Sequence, residues 1–378
     1  MNFEYSEEQQ LLKESIQRWA QDNYSFDQRN VAASMDAGFS DKNWETFAEL
    51  GWLSVPFAEE DGGFGGGIVD LAAIMEEFGK ALTVEPLFST LVLFGGLVSE
   101  AGTADQKAAV LETLIGGGLK GAAALYEPQA RFDLSNVKTS AKIDGDVYIL
   151  SGSKSVVLDA PSADKLVVLA RTSGEQTDEK GLSLFLVDAD AKGLCRHDYV
   201  LMDAHRASDI VLDGVVGQLM GEADAAYPIV ESVMQKAHVA LSAEALGIME
   251  KLNATTVEYS KTRKQFGVTI SSFQALQHRM VDTFMAFEQT KSLLVGTLCE
   301  LENPENSEAT KATMVAALRT MVAKSGKHVG DEAIQIHGGM GITDELDVGH
   351  YVKRLLMINL LFGSGDFFQD QFNQLAYA

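Results

Sequence analysis

Two stretches of the chain carry residue types and spacings that could do chemistry. "TRKQFG" holds Arg263, a planar and permanently charged guanidinium, followed by Gln265 and Phe266, with Gln274 a little further on. "QIHGG" sets Gln335 ahead of Gly338 and Gly339. Glycine has no Cβ to hold a phosphate or a ribose away from the backbone, so such a pair permits close approach. His337, inside the second stretch, reads as a packed or capping imidazole rather than a catalyst. A third stretch, "PFAEEDGGFGGG", has five glycines among the six residues from Gly62 to Gly67. It breaks the surrounding pattern and must be a loop. With no strand before it and no G-x-G-x-x-G spacing, it is weak evidence for phosphate binding. Cys195 and Cys299 lie far apart, without CxxC or Cys/His spacing, so neither a metal site nor a disulfide framework is indicated.

The elements that must position these residues fall into three zones. Residues 1–120 recur in apolar character every three or four positions, the helical period, and Ser6 with Glu8 and Gln9 behind it is a serviceable helix start. Residues 121–225 change period to short alternating β-branched runs such as "KLVVLART" and "LSLFLVDAD", punctuated by "DG" and "SG" turns, which predicts a small, mainly antiparallel β-domain. Residues 226–378 return to long helices joined by short connections at "QFGVTIS" and "ENPENS", the pattern of a helical bundle. Helices, then strands, then helices predict an α+β architecture rather than alternating βαβ units.

Bulk properties narrow the function. At 378 residues the chain exceeds one small core. Its 46% apolar and 22% charged residues are those of an ordinary soluble protein. A net charge of −24 argues against nucleic acid and anionic membrane as partners. The N-terminal stretch "MNFEYSEEQQLLKES" is acidic and amphipathic, unlike a targeting peptide, and no apolar run reaches the roughly 20 residues needed to cross a bilayer. The expected location is the cytoplasm.

Three constellations go further: "YSKTRKQFGVTISSFQ" (Tyr259–Gln274), "AIQIHGGMGIT" (Ala333–Thr343) and "WETFAELGWLSVPFAEEDGG" (Trp44–Gly63). Together, in this order and at these separations, they resemble the acyl-CoA dehydrogenase family over essentially the whole chain. The resemblance implies an N-terminal helical domain, a β-barrel-like middle and a C-terminal four-helix bundle. It implies FAD as cofactor, an acyl-CoA thioester as substrate and electron-transferring flavoprotein as redox partner. In the family a glutamate removes the α-proton while the β-hydrogen leaves as hydride, giving a 2,3-enoyl-CoA. By resemblance, Arg263, Gln265, Phe266, Gln274, Gln335, Gly338 and Gly339 reach the flavin of a neighbouring subunit, and Ser364 lies at a flavin-contacting position.

The chain departs from the family where that chemistry is done. The two positions at which the family keeps its glutamate are Phe362, in "LLFGSGDFFQ", and Ala237, in "MQKAHVAL". Neither accepts a proton. Tyr126, Phe132, Val156 and Leu158 stand where the family's ring-facing residues would be, while Glu127, Pro128, Asp133, Gly152 and Lys154 remain. The losses fall on a subunit's own flavin ring and base; the residues serving a neighbour's flavin are intact. The expectation is a subunit without its own base, within a heterotetramer, that completes a homologous partner's site. Two rivals stand: a self-sufficient homomer whose base is displaced to His238, Glu244 or Asp366, and a non-catalytic assembly protein.

Overall fold

A computed structural model of the chain describes residues 5–145 and 147–377; the first four residues of the acidic N-terminal stretch, Asp146 and Ala378 lie outside them. The helices α1 (Glu7–Asn23), α2 (Phe26–Ser34), α3 (Asp41–Glu49), α4 (Ile68–Ala81), α5 (Gly96–Ala101) and α6 (Ala104–Ile115) come first. Strands β1 (Gly121–Ala124), β2 (Ser140–Asp144), β3 (Val147–Leu158), β4 (Lys165–Arg171), β5 (Leu182–Asp188), β6 (Leu194–Val200) and β7 (Arg206–Met220) follow. The long α7 (Ala226–Thr262) leads through a two-strand hairpin, β8 (Lys264–Gln265) and β9 (Val268–Thr269), into α8 (Gln274–Glu302), α9 (Glu308–His337), α10 (Asp347–Leu360) and α11 (Gly365–Ala376). The α+β order of helices, strands and helices is the one the sequence predicts. Ser6 opens α1 with a full capping box, its side chain accepting from Gln9 N while Gln9 answers the Ser6 backbone, so two orphan amides are satisfied. No helix among the described residues is long and apolar enough to cross a membrane.

The chain divides into two compact units. One holds the residues up to Asn30, Ile68–Thr83 and everything from His238 onward. Its centre is α9, against which α8, α10 and α11 pack. The approach of α4 to α7 is set by glycine: a Cβ on Gly247 would lie 1.9 Å from Glu76 O, and one on Gly79 would lie 2.2 Å from Glu244 O. Where the backbones meet this closely, the charged side chains beside them pair. Lys13 reaches Glu76 at 2.8 Å and Glu77 at 2.9 Å, and Lys80 bridges Glu77 at 3.0 Å and Glu250 at 2.8 Å.

The other unit holds Val31–Gly67 and Val84–Ala237. Its strands pair around a closed ring, β4–β2–β3–β7–β5 and back to β4, with β1 added to β4 in parallel and β6 added antiparallel to β7. Closure leaves few free edges, and the alternating inward residues Leu150, Leu166, Val168, Phe185, Ile210 and Val215 form its core. The glycine-rich stretch is a loop beyond a single 3-10 turn at Glu59–Asp61, and it folds on its own chain. Gly63 N donates to Ala58 O, Gly65 N to Phe57 O and Gly66 N to Val55 O, and a Cβ on Gly63 would sit 2.1 Å from Phe57 O. These glycines permit self-packing.

Because the α4–α7 contact has no room for a methyl group, Gly247→Ala must push backbones apart. Overpacking of this kind costs about 1–3 kcal/mol, to be read as a lower urea midpoint with an unchanged slope; an unchanged midpoint would show that the two helices are not in this contact.

Candidate functional site

One ring contact brings the two sequence stretches together. Tyr259, in the last turns of α7, stacks on His337, the last residue of α9, with centroids 4.2 Å apart and planes at 27°. The Tyr259 hydroxyl also donates to His337 O at 3.4 Å. His337 is buried, its Nδ1 2.8 Å from Ala333 O, and it packs as its surroundings in the sequence predict.

From this anchor the backbone is carried outward on both sides. Arg263 N donates to Tyr259 O and Ile270 N to Arg263 O, each at 2.9 Å, closing the hairpin base. Phe266 and Gly267 form its tip at φ 53° and 85°, both left-handed as a two-residue hairpin turn of the right twist requires. Phe266 is 93% exposed and meets Phe273 edge to face at 6.3 Å. On the other side α9 ends in Gly338 at φ 63° and ψ −140°, a conformation open to glycine. A Cβ on Gly338 or Gly339 would meet nothing within 4 Å, so the space beside that backbone is free. Arg263, Gln265, Gln274 and Gln335 are all exposed, and the Arg263 guanidinium has no ion-pair partner among the described residues. A cation, three amides and two bare backbone units therefore face away from the chain that carries them.

Ser364 is not part of this group. It caps α11, accepting from Phe367 N at 3.2 Å, and the next residue, Gly365, lies against Ala323 of α9. Ala323 precedes Gln335 by twelve residues on the same helix, about 18 Å along its axis.

The two positions where the resemblance places a glutamate, and the three candidate replacements, lie in different settings. Phe362 is half-buried at φ 59°, and Ala237 is fully buried. Glu244 is held by Arg354 in a buried two-point pair, 2.6 and 2.8 Å. Asp366 is exposed in the first turn of α11. His238 is buried edge-on to Phe368, with centroids 4.9 Å apart, and its Nδ1 has no partner among the described residues. Burial, and next the charge of Arg319, hold its pKa well below the ordinary 6.5, so the ring is neutral. Arg319 donates from Nη2 to Ile358 O at 2.7 Å and Leu361 O at 3.2 Å, and lies 5.1 Å over the Phe368 ring. It thus ties down the turn that bears Phe362. Burial lowers its own pKa to about 10. Arg319 and Arg354 escaped sequence reasoning; the one available signal was an arginine on the apolar stripe of each helix.

In the strand-bearing unit, Lys154 and Glu127 form an ion pair buried on both sides, 2.9 Å. Burial opposes both charges, but Lys154 and donors from Thr139 and Gln129 hold the Glu127 carboxyl down to about 2, so the pair is ionised. It links the end of β1 to β3, since Lys154 also donates to Leu125 O at 3.0 Å. Val156 sits in a β-bulge at φ 52°, unusual for a β-branched residue. Its N–H is taken by Asp209 at 3.0 Å, which also accepts from Tyr199 at 3.1 Å. Tyr126 and Phe132 are half-buried, and Leu158 is buried.

Two predictions follow from these charges. Below about pH 6.5 the unfolded chain binds a proton at His238 that the folded chain refuses, so stability falls with added acid at up to about 1.4 kcal/mol per pH unit. His238→Phe should flatten that part of the stability profile relative to the parent; an identical profile would mean the imidazole is charged when folded. Lys154→Met strands a buried carboxylate and should cost about 3–5 kcal/mol, largely recovered when Glu127→Gln is added. Denaturant melts of the two variants would show it, and equal losses in the single and double variants would contradict the pairing.

Three domain models of one family match the chain in sequence order: acyl-CoA dehydrogenase N-terminal domain over residues 6–118, middle domain over 122–215 and C-terminal domain over 227–373. The chain is 28% identical over 376 residues to a probable acyl-CoA dehydrogenase, YngJ, of Bacillus subtilis, covering 97% of each. Among solved structures, the FAD complex of PigA superposes with a TM-score of 0.90 at 26% identity, over 100% of this chain and 99% of that one. A steroid acyl-CoA dehydrogenase variant, Tcur3481-Tcur3483, superposes with a TM-score of 0.88 at 26% identity, over 98% of both. With all three domains present and in order across nearly its full length, the chain belongs to the acyl-CoA dehydrogenase family.

Proposed function

We propose that this chain is the subunit without a catalytic base in a heteromeric, FAD-dependent acyl-CoA dehydrogenase, and that it completes the flavin site of a homologous partner. The observation that carries this reading is the set of residues beside the joined ends of α7 and α9 and at the start of α8: Arg263, Gln265, Phe266, Gln274, Gln335, Gly338 and Gly339 are all exposed, and the Arg263 guanidinium has no ion-pair partner among the described residues. The residues fit the group they would hold. Arg263 would pair with a pyrophosphate, the free space at Gly338 and Gly339 would admit it to backbone range, and the amides would bond the adenosine half. FAD supplies the hydride acceptor for oxidation of the acyl thioester to the enoyl thioester.

Proton removal belongs to the partner in this account. Phe362 and Ala237 offer no base, the Glu244 carboxylate is committed to Arg354, and His238 is buried and shielded. Ser364, which caps α11, would serve this chain's own flavin side rather than the partner's. The texture of "ARFDL" at 130–134 and "SFQALQH" at 272–278 supports a subunit that resembles the small subunit of pimeloyl-CoA dehydrogenase. A dicarboxylic, ring-derived or other fatty acyl-CoA would then be the substrate, electron-transferring flavoprotein the acceptor and the cytoplasm the location, with functional boundaries near residues 120 and 225. A pure assembly role is disfavoured, because a scaffold has no use for an assembled clamp.

Co-expression with the homologous chain that keeps the glutamate tests the reading. Arg263→Ala in this chain should leave the complex assembled while weakening its hold on FAD about 10- to 100-fold, the worth of one charge-assisted contact. Undiminished flavin content in the variant complex would refute it.

A further inference from the structure

The buried arginines Arg354 and Arg319 of the helical unit are provided for differently. Arg354 meets the Glu244 carboxylate at two points, 2.6 and 2.8 Å. Arg319, on α9 and 2% exposed, meets no carboxylate among the described residues. Its Nη2 donates to Ile358 O and Leu361 O at the end of α10, and the guanidinium lies over the Phe368 ring of α11. Its Nε and Nη1 are enclosed and have no hydrogen-bond partner among the described residues. Burial lowers its pKa to about 10, so the group is still charged at neutral pH. A buried charge without a partner is among the costliest features an interior can hold.

More unused polarity lies beside it. His238, on α7, meets the same Phe368 ring edge-on at 4.9 Å, lies within the field of Arg319, and has an enclosed Nδ1 with no partner among the described residues. Guanidinium N–H groups only donate, and a neutral imidazole with its proton on Nδ1 adds another donor, so the two side chains together call for an acceptor. The nearby carboxylates do not supply it: Glu244 is held by Arg354, and Asp366 is exposed in the first turn of α11. Enclosure sets the size of what does. An acyl chain or a nucleotide cannot reach atoms covered to this degree, whereas a single water or ion is the kind of occupant that enclosed polar groups hold. A water brings protons of its own, for which Arg319 has no acceptor. An anion only accepts, and it offsets the buried charge as well.

We infer that Arg319 and His238 hold one small monovalent anion, chloride by size and charge, inside the helical unit, and that this ion steadies the guanidinium that ties down the turn bearing Phe362. The site needs neither flavin nor a second subunit, so it stands apart from the heteromer proposed above.

Melting of the full-length chain in sodium chloride against sodium gluconate at equal ionic strength provides the test. The melting temperature should rise by about 2–4 °C with chloride and then level off, as one saturable site requires. His238→Phe and Arg319→Met should each lose that rise, whatever their own starting stability, and His238→Phe alone decides the point if Arg319→Met does not fold. Crystals grown in sodium bromide should show one anomalous scatterer within hydrogen-bond distance of Arg319 Nε or Nη1. Equal melting in chloride and gluconate overturns the inference. So does a water in place of bromide at that point, and so does a rise that persists in His238→Phe, which would put the chloride elsewhere.

Discussion

The stack of Tyr259 on His337 is the contact on which the outward-facing group depends. It joins the ends of two long helices, and every residue of the proposed clamp hangs from one end or the other. A buried imidazole and a phenol at 4.2 Å hold their ends in register without needing a charge. Without it, Arg263 and the Gly338–Gly339 backbone would be two unrelated loop features. With it, an exposed guanidinium and an approachable backbone are carried on helix ends that meet.

The positions where the chain departs from the pattern it resembles lie among well-bonded groups. Glu244 is neutralised by Arg354, the carbonyls next to Phe362 are tied to Arg319, and the N–H in the Val156 bulge is satisfied by Asp209. An enzyme awaiting its own base or its own ring would leave such groups poised and unpaired. Here the Glu244 carboxylate, the Leu361 carbonyl and the Val156 N–H are bonded to their own chain, while Arg263 and Gln335 are exposed. This division of satisfied and unsatisfied polarity is the physical content of the proposed half-site.

Much of this was legible in the sequence, for physical reasons that differ by element. Local signals are strong where the interaction is local: the Ser6 and Gln9 capping box, the change from helical to alternating period near residue 121, and the break at the Gly62–Gly67 loop. The reason for that loop was hidden, because it lies in the approach of Gly63 to the Phe57 carbonyl. Strand closure was hidden too, since β4 meets β5 and β2 through pairings that no turn residue announces. Motif residues came with the family resemblance, but not their grouping: Tyr259 and His337 are far apart in the chain, and Ser364 precedes the Gly365 that lies against Ala323, about 18 Å from Gln335 along α9. Arg319 and Arg354 sat in apolar stripes and could not be assigned partners without the fold.

The central claim is that this chain completes a flavin site it does not itself possess in full. Flavin absorbance per chain, measured on the lone protein and on the complex with its glutamate-bearing homologue, together with bleaching by acyl-CoA, tests it most directly. The account predicts little bound flavin and no bleaching for the lone chain, and fewer flavins than chains in an active complex. Stoichiometric flavin that bleaches on addition of acyl-CoA to the lone chain would contradict it.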